Sequence, residues 1–156
     1  MRRGLVVTAI WLASACALLA HAGRAAAALG GAPESVESDQ RALMAASRST
    51  LRGSAYTVHE LQSGLLRIRE YVSPAGVVFG IAWNGPTPPD LDQLLGDYAP
   101  EWRQATEAAA RRPGQRFRAV SGPNVTVVRW GRMGHLRGRA WAGALVPAGV
   151  DVDEIQ

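Results

Sequence analysis

The chain has 156 residues, with 17 arginines, no lysine, 13 acidic residues and a single cysteine. A chain of this length can form one domain with a packed core. A lone cysteine excludes an intramolecular disulfide framework and a zinc site built from several thiolates. Because lysine is absent beside abundant alanine and glycine, a GC-rich coding bias is an explanation for the arginine content that requires no function.

The first segment of the chain has the order of a secretory signal. Two arginines precede an uncharged apolar run over residues 4–20, and small residues dominate segment 22–28. A basic n-region, an apolar h-region and small residues at the cleavage site define an export signal. We therefore predict a signal peptide over residues 1–28, a single mature domain over residues 29–156, and a periplasmic or extracellular location. A retained membrane anchor and lipidation of Cys16 are the less favoured alternatives.

Segment 34–47 predicts a short polar helix, because acidic residues cluster at its start and a thin apolar stripe follows. From residue 55 onward the apolar period changes from helical spacing to two. Alternation over residues 55–61, 66–72 and 77–84, with turn residues between these segments, predicts a three-stranded antiparallel meander. In its third strand, four apolar residues are expected to share one face: Val77, Phe79, Ile81 and Trp83.

Three prolines in segment 85–89 end the sheet, because proline lacks the amide donor that a strand needs. Asp90 follows as the predicted N-cap of a helix. Apolar residues recur after it at spacings of three and four as far as Ala105, so this helix is expected to cover the sheet. Gly96 and Pro100 predict a kink or a break near residue 100.

The last third of the chain predicts three more strands, over residues 116–121, 124–130 and 135–145. The acidic tail, residues 151–156, is expected to be peripheral. The element order predicts an α+β fold with a single antiparallel sheet of about five to six strands, formed by a meander, a helix and then further strands. Helices are expected to pack on one face of this sheet.

No pattern in the sequence predicts a catalytic residue, a metal site or a cofactor. His59 is followed by a glutamate but lacks the second histidine of the metalloprotease helix motif, and no Gly-x-Ser-x-Gly elbow occurs. Glu60 and Glu70 lie on adjacent predicted strands and are expected to face solvent, where they balance Arg67 or Arg69. The alternative is a small envelope hydrolase that uses Glu60, Glu70 or His59 in a cleft between sheet and helix.

Charge is distributed unevenly along the chain. Residues 108–150 contain eight arginines and no acidic residue, whereas residues 29–107 contain six arginines and ten acids. Arginine can bind phosphate and carboxylate groups through two parallel hydrogen bonds. The candidate polyanion-binding face consists of Arg129, Trp130, Arg132, Arg137, Arg139 and Trp141. The alternative interpretation is a solvated sheet face in an arginine-biased proteome.

An exported protein with such a face meets a limited set of anionic partners. We expect an anionic envelope polymer, such as lipopolysaccharide or an acidic polysaccharide, or the acidic surface of an envelope protein. Nucleic acid is a less expected partner, and membrane contact is expected only through the signal peptide before cleavage. The sequence therefore predicts a non-enzymatic periplasmic or cell-envelope binding or accessory module.

Several short segments resemble those of one known family. They are ALGGAP at 28–33, YTVHE at 56–60, REYVSPAG at 69–76, WNGPT at 83–87 and LVPAGV at 145–150. These segments are similar to DUF2844, a family of short exported proteobacterial proteins of unknown function. The resemblance extends over nearly the whole predicted mature chain. It implies an exported bacterial protein, and it implies no activity, because the family brings no catalytic residues to carry over.

Overall fold

The computed structural model of the protein describes residues 29–31, 47–52, 55–109, 114 and 116–156. The predicted signal peptide over residues 1–28 lies outside the described residues, as does the predicted helix of segment 34–47 except for its last residue. That last residue, Ser47, begins a strand. Within the described ranges, no helix combines the length and the apolar character needed to cross a membrane.

Seven strands form one antiparallel sheet. They are β1 (Ser47–Arg52), β2 (Thr57–Ser63), β3 (Leu66–Val72), β4 (Val78–Gly85), β5 (Phe117–Ser121), β6 (Val125–Arg132) and β7 (His135–Ala142). Their order across the sheet is β1-β2-β3-β4-β7-β6-β5. The last strand in the chain, β7, therefore pairs with β4 at the centre of the sheet. This pairing joins the meander β1–β4 to the meander β5–β7.

The predicted single antiparallel sheet is confirmed, but it has seven strands where five to six were expected. The additional strand is β1, an edge strand that pairs only with β2. Its sequence, Ser-Arg-Ser-Thr-Leu-Arg, contains one apolar residue, and that residue, Leu51, is exposed. A strand with a single apolar residue shows no apolar alternation, so its pairing could not be read from the sequence.

Two short helices follow β4, as the helical spacing predicts. They are α1 (Leu91–Leu95) and α2 (Ala99–Ala108), separated by a 3₁₀ turn. The carboxylate of Asp90 caps α1 and accepts hydrogen bonds from the amides of Asp92 at 3.0 Å and Gln93 at 3.2 Å. The predicted break falls at Gly96, where φ is 51°. Pro100 is tolerated because it occupies the first turn of α2, where no amide donor is required.

One face of the sheet, which we call the helical face, packs against these helices. Leu94 and Leu95 are fully buried there against sheet residues that include Ile68, Ile81 and Val127. Full burial of an aliphatic side chain of this size stabilises a fold by about 1.5–3 kcal/mol. The predicted packing of an amphipathic helix on the sheet is confirmed.

A β-bulge between β3 and β4 changes which residues face the helices. Val72 pairs with Val78 and Tyr71 pairs with Gly80, so Phe79 has no residue opposite it. A bulge inserts one extra residue and reverses the alternation beyond it. Phe79 therefore packs with Tyr71 on the opposite face from Ile81. The prediction that Phe79 shares a face with Ile81 is wrong for this reason.

The C-terminal strap, residues 146–156, covers part of the second face of the sheet, which we call the strap face. Ile155 is 0 % exposed and packs with Tyr71 and Phe79. The main chain of Gln156 accepts a hydrogen bond from the Tyr71 hydroxyl at 3.1 Å and donates one to it at 3.0 Å. The acidic tail is thus not peripheral, because Ile155 and the main chain of Gln156 anchor it to the sheet.

Candidate functional site

Two cross-strand rows of side chains on the strap face build a groove of about 620 Å³. The first row runs across five strands as Arg67, Asn84, Arg137, Trp130 and Phe117. Side chains at every second position of a strand share a face, and paired residues on neighbouring strands lie side by side. Antiparallel registry therefore brings together residues that are far apart in the chain.

The second row runs beside the first and forms the floor of the groove. Its members from β3 to β6 are Arg69, Ala82, Arg139 and Val128. Because the side chain of Ala82 is small, a depression remains between the longer side chains of Arg69 and Arg139. We call the site formed by the two rows the arginine groove. Its lining includes four guanidinium groups, on residues 67, 69, 137 and 139, together with the aromatic rings of Trp130 and Phe117.

The arginines of the second row are held by other groups of the protein. Arg69 donates to the Glu60 carboxylate at 2.8 Å and to the carbonyl oxygen of Gln156 at 2.9 Å. Arg139 donates to the Asp153 carboxylate at 2.7 Å, and its guanidinium lies 5.5 Å from the centroid of the Trp141 ring. The bond to Glu60 raises the pKa of Arg69 further above its usual value. Arg69 and Arg139 therefore hold the C-terminal strap against the sheet.

The arginines of the first row are more available. Arg67 is only loosely held, by Glu60 at 3.4 Å and by the side-chain oxygen of Gln62 at 3.3 Å. Arg137 is exposed and, among the described residues, makes no hydrogen bond or ion pair. Phe117, at the end of the row, is 58 % exposed. The open side of the groove therefore presents cationic and aromatic groups to solvent.

The charges of the groove do not cancel. Among the described side chains of the site, four guanidinium groups meet two carboxylates, Asp153 at the wall and Glu60 beside Arg67 and Arg69, which leaves a side-chain surplus of two positive charges. An uncompensated guanidinium beside an aromatic ring is suited to a planar or tetrahedral anion. The arrangement can bind carboxylate or phosphate groups.

The structure brings together most of the candidate residues from the sequence. Trp130, Arg137 and Arg139 line the arginine groove, and Trp141 lies on the same face beside Arg139. Arg132 is exposed on this face at the end of the β6–β7 hairpin, outside the groove.

Arg129 is the member of the candidate set that lies elsewhere. It follows the alternation of Val125 and Val127, which are buried in the core of the helical face, so it points away from the groove. Its guanidinium lies 5.8 Å from the centroid of the Trp102 ring on α2. Burial, and then the charge of Arg118, lowers the pKa of Arg129.

Among the groove residues that sequence reasoning missed are Arg67, Arg69 and Phe117. The two arginines lie within residues 29–107, where ten acids outnumber six arginines. The alternation of β3 places them on one strand face, and that signal could have found them. Their proximity to Arg137 depends on the pairing of β4 with β7, which no local pattern shows.

The two carboxylates considered for hydrolysis do not form a pair. Glu60 lies on the strap face with Arg67 and Arg69. Glu70 lies on the helical face, opposite His59 across the β2–β3 ladder, and is 0 % exposed. The expectation that Glu70 faces solvent is wrong, because its neighbours in the alternation, Ile68 and Val72, belong to the core. Two carboxylates on opposite faces of a sheet cannot flank one glycosidic bond.

A metal site needs several ligand side chains directed at one point. Over the ranges that the structure describes, no group of three or more histidine, cysteine, aspartate or glutamate side chains is placed to hold a metal ion.

The fold and the groove define a single-sheet α+β domain with a cationic groove on one face. A family model, Protein of unknown function (DUF2844), matches residues 25–155, and the chain belongs to this family. The family resemblance of the sequence segments is thereby confirmed. Comparison with curated proteins and with solved structures found no match.

Proposed function

We propose that the protein is an exported, non-enzymatic binding module of the cell envelope whose arginine groove holds an anionic polymer. The observation that carries this proposal is the first row of the groove, in which Arg137 is exposed and unpaired among the described residues between Asn84 and Trp130. The order of charged, apolar and small residues over residues 1–28 supports export.

The spacing of the row supports a polymer over a single small ion. Arg67 and Arg137 lie on strands that flank β4, so their backbones are about 10 Å apart at the usual strand spacing. Each guanidinium can therefore bind a separate anionic group of a repeating chain. Trp130 and Phe117 continue the row with aromatic surface, against which the apolar face of a sugar ring can pack.

The test uses polygalacturonate, a carboxylate polymer, as the probe and the Arg67→Ala/Arg137→Ala variant. Hydrogen bonds between charged groups are worth about 1.5–3 kcal/mol each, so the double variant is expected to bind at least about tenfold more weakly. Affinity of the natural protein is expected to fall steeply with salt, because exposed charges are screened. Equilibrium binding by isothermal titration calorimetry at several salt concentrations measures both effects.

Arg103→Ala is the matched control, with neutral dextran as the control polymer. Arg103 is exposed, pairs with Asp92 at 3.3 Å and lies on the helical layer, so its removal changes the net charge without touching the groove. Equal weakening by Arg103→Ala and Arg137→Ala would show that net charge alone attracts the polymer. That result, or the absence of any binding, would contradict the proposal.

Lipopolysaccharide, which presents phosphate groups, serves as a second probe in the same assay. Competition between lipopolysaccharide and polygalacturonate for one site is expected, since guanidinium groups bind both kinds of anion. The order of the two affinities then identifies which anionic group the groove prefers.

A further inference from the structure

Two arginines face each other on the helical face, away from the arginine groove. Arg118 of β5 and Arg129 of β6 are direct cross-strand partners, and both are half-buried. Like charges placed directly opposite each other on neighbouring strands are destabilising. The pair therefore has an electrostatic cost that something else must offset.

No carboxylate of the described residues offsets this cost. Arg118 donates to the carbonyl oxygen of Thr106 at 3.1 Å, and Arg129 lies over the ring of Trp102. Within the described ranges neither guanidinium forms an ion pair. Burial, followed by the charge of Arg118, lowers the pKa of Arg129, but a guanidinium stays protonated at neutral pH. Two partly desolvated positive charges thus lie together.

Two further polar groups beside the pair have no hydrogen-bond partner among the described residues. Trp102 and Thr106 lie one helical turn apart on α2, which contacts β5 and β6. The indole nitrogen of Trp102 and the hydroxyl of Thr106 are buried and, in the described part of the chain, make no hydrogen bond. Buried polar groups in native proteins are normally hydrogen-bonded. The interface between α2, β5 and β6 therefore contains buried polar groups without hydrogen-bond partners and two positive charges without a counter-charge among the described residues.

A cleft of about 210 Å³ opens at this pair. Arg116, Arg118 and Arg129 line it together with the side chains of Trp83 and Leu136, and Trp130 and Arg137 of the arginine groove reach its edge. A water molecule takes about 30 Å³ of liquid, so the cleft can hold one small anion with its nearest waters. It is too small for a folded partner or for several units of a polymer.

We propose that Arg118 and Arg129, with Arg116 at the edge of the cleft, form a binding site for a phosphate group. The guanidinium fork matches phosphate oxygens, and a doubly charged anion compensates both half-buried cations. Arg118 and Arg129 lie on the opposite face of the sheet from the arginine groove, although Trp130 and Arg137 line both the cleft and the groove, and the inference does not depend on the proposed function.

The experiment measures the melting temperature of the full chain in inorganic phosphate and in chloride at matched ionic strength and pH. A ligand that binds only the folded state at about a hundred times its Kd raises the melting temperature by several degrees. We expect such a shift for the natural protein, and we expect it to be lost in Arg118→Gln and in Arg129→Gln. Equilibrium dialysis with labelled phosphate is expected to give one site per chain.

Two variants locate the response. Arg103→Gln is a charge-matched control on another part of α2, and Arg67→Ala weakens the arginine groove without touching the cleft. Both are expected to keep the phosphate shift. Loss of the shift in Arg67→Ala, its persistence in Arg118→Gln and Arg129→Gln, or no shift in the natural protein would overturn the inference.

The lysine variants Arg118→Lys and Arg129→Lys replace the glutamine variants if those fail to fold, as judged by circular dichroism. Lysine keeps the charge but lacks the fork, so dialysis is expected to show at least about fivefold weaker phosphate binding; unchanged binding would overturn the proposal.

Methyl phosphate distinguishes a phosphate ester from the free ion. An equal shift in acetate would overturn the assignment to phosphate. Failure of polygalacturonate binding with an intact phosphate shift would count against the proposed function alone.

Discussion

Glu101 shows how one side chain can connect two elements. Its carboxylate, on α2, accepts hydrogen bonds from the Asn124 amide at 2.7 Å, the Asn124 side chain at 2.9 Å and the Val125 amide at 3.1 Å. These bonds, the amide of Asn124 foremost, lower the pKa of Glu101. Glu101 thereby fastens α2 to the turn between β5 and β6.

The Glu101→Gln variant is expected to be less stable than the natural protein at neutral pH, because an amide oxygen accepts these bonds more weakly than a carboxylate. A lowered folded-state pKa gives stability that is present above the unfolded pKa of about 4.3 and is lost as the pH falls through the folded value. Melting temperatures across this range should converge for the two proteins. Glu107→Gln, an exposed change on the same helix, is the control, and a difference that persists at pH 2 would contradict the account.

Tyr56 makes the corresponding connection to the strap. Its hydroxyl donates a hydrogen bond to the Glu154 carboxylate at 2.6 Å, and this bond is the main cause that raises the pKa of Tyr56 to about 12. A raised pKa means that the contribution to stability is complete below the usual tyrosine value of about 10 and is lost as the pH rises through the folded value.

An alkaline titration of phenolate absorbance tests this assignment. One tyrosine is expected to ionise near pH 12, and Tyr56→Phe should remove that late step. Glu154→Gln should move the step toward the ordinary range, since the anionic acceptor is gone. A late step that survives Tyr56→Phe would show that another tyrosine carries it.

Among the elements, the strap depends on one apolar side chain more than on its charges. Ile155 is fully buried against Gly80, where an added methyl group would lie 2.7 Å from the Ile155 side chain. Asp153, by contrast, is largely exposed. Apolar burial is therefore expected to dominate the free energy with which the strap binds the sheet.

Ile155→Ala is expected to lower the free energy of unfolding by about 2–5 kcal/mol, the usual range for a buried isoleucine. Asp153→Asn is the contrasting change and should cost about 0–1 kcal/mol, because surface ion pairs contribute little. Urea denaturation of both variants measures the difference. Equal costs for the two changes would mean that the charges, and not Ile155, hold the strap.

The elements also show what could be predicted from the sequence. Six strands and the capped helix carry their own signals, namely apolar alternation, turn residues and the Asp90 cap. Three features carry no such local signal. The strand β1 buries no described side chain, the bulge at Phe79 depends on how β3 and β4 register, and the strap is apolar only at isolated positions in an acidic segment.

At the scale of the whole molecule, the candidate site depends on the join between the two meanders. Arg137 and Trp130 could be proposed from the arginine-rich second half, but Arg67 and Arg69 reach them only because β7 pairs with β4. Long-range pairing of this kind is not encoded in any short segment. Alternation alone, applied to β6, would have placed Arg129 on the other face with Val125 and Val127.

The central claim is that the first row of the arginine groove contacts the anionic polymer directly. The most direct measurement follows the side-chain Nε–H signals of the arginines by NMR while polygalacturonate is added. The signals of Arg67 and Arg137 are expected to shift together and to saturate, while that of Arg103 stays in place. Small shifts of equal size for all three arginines would contradict the account, because they would show attraction by net charge without a site.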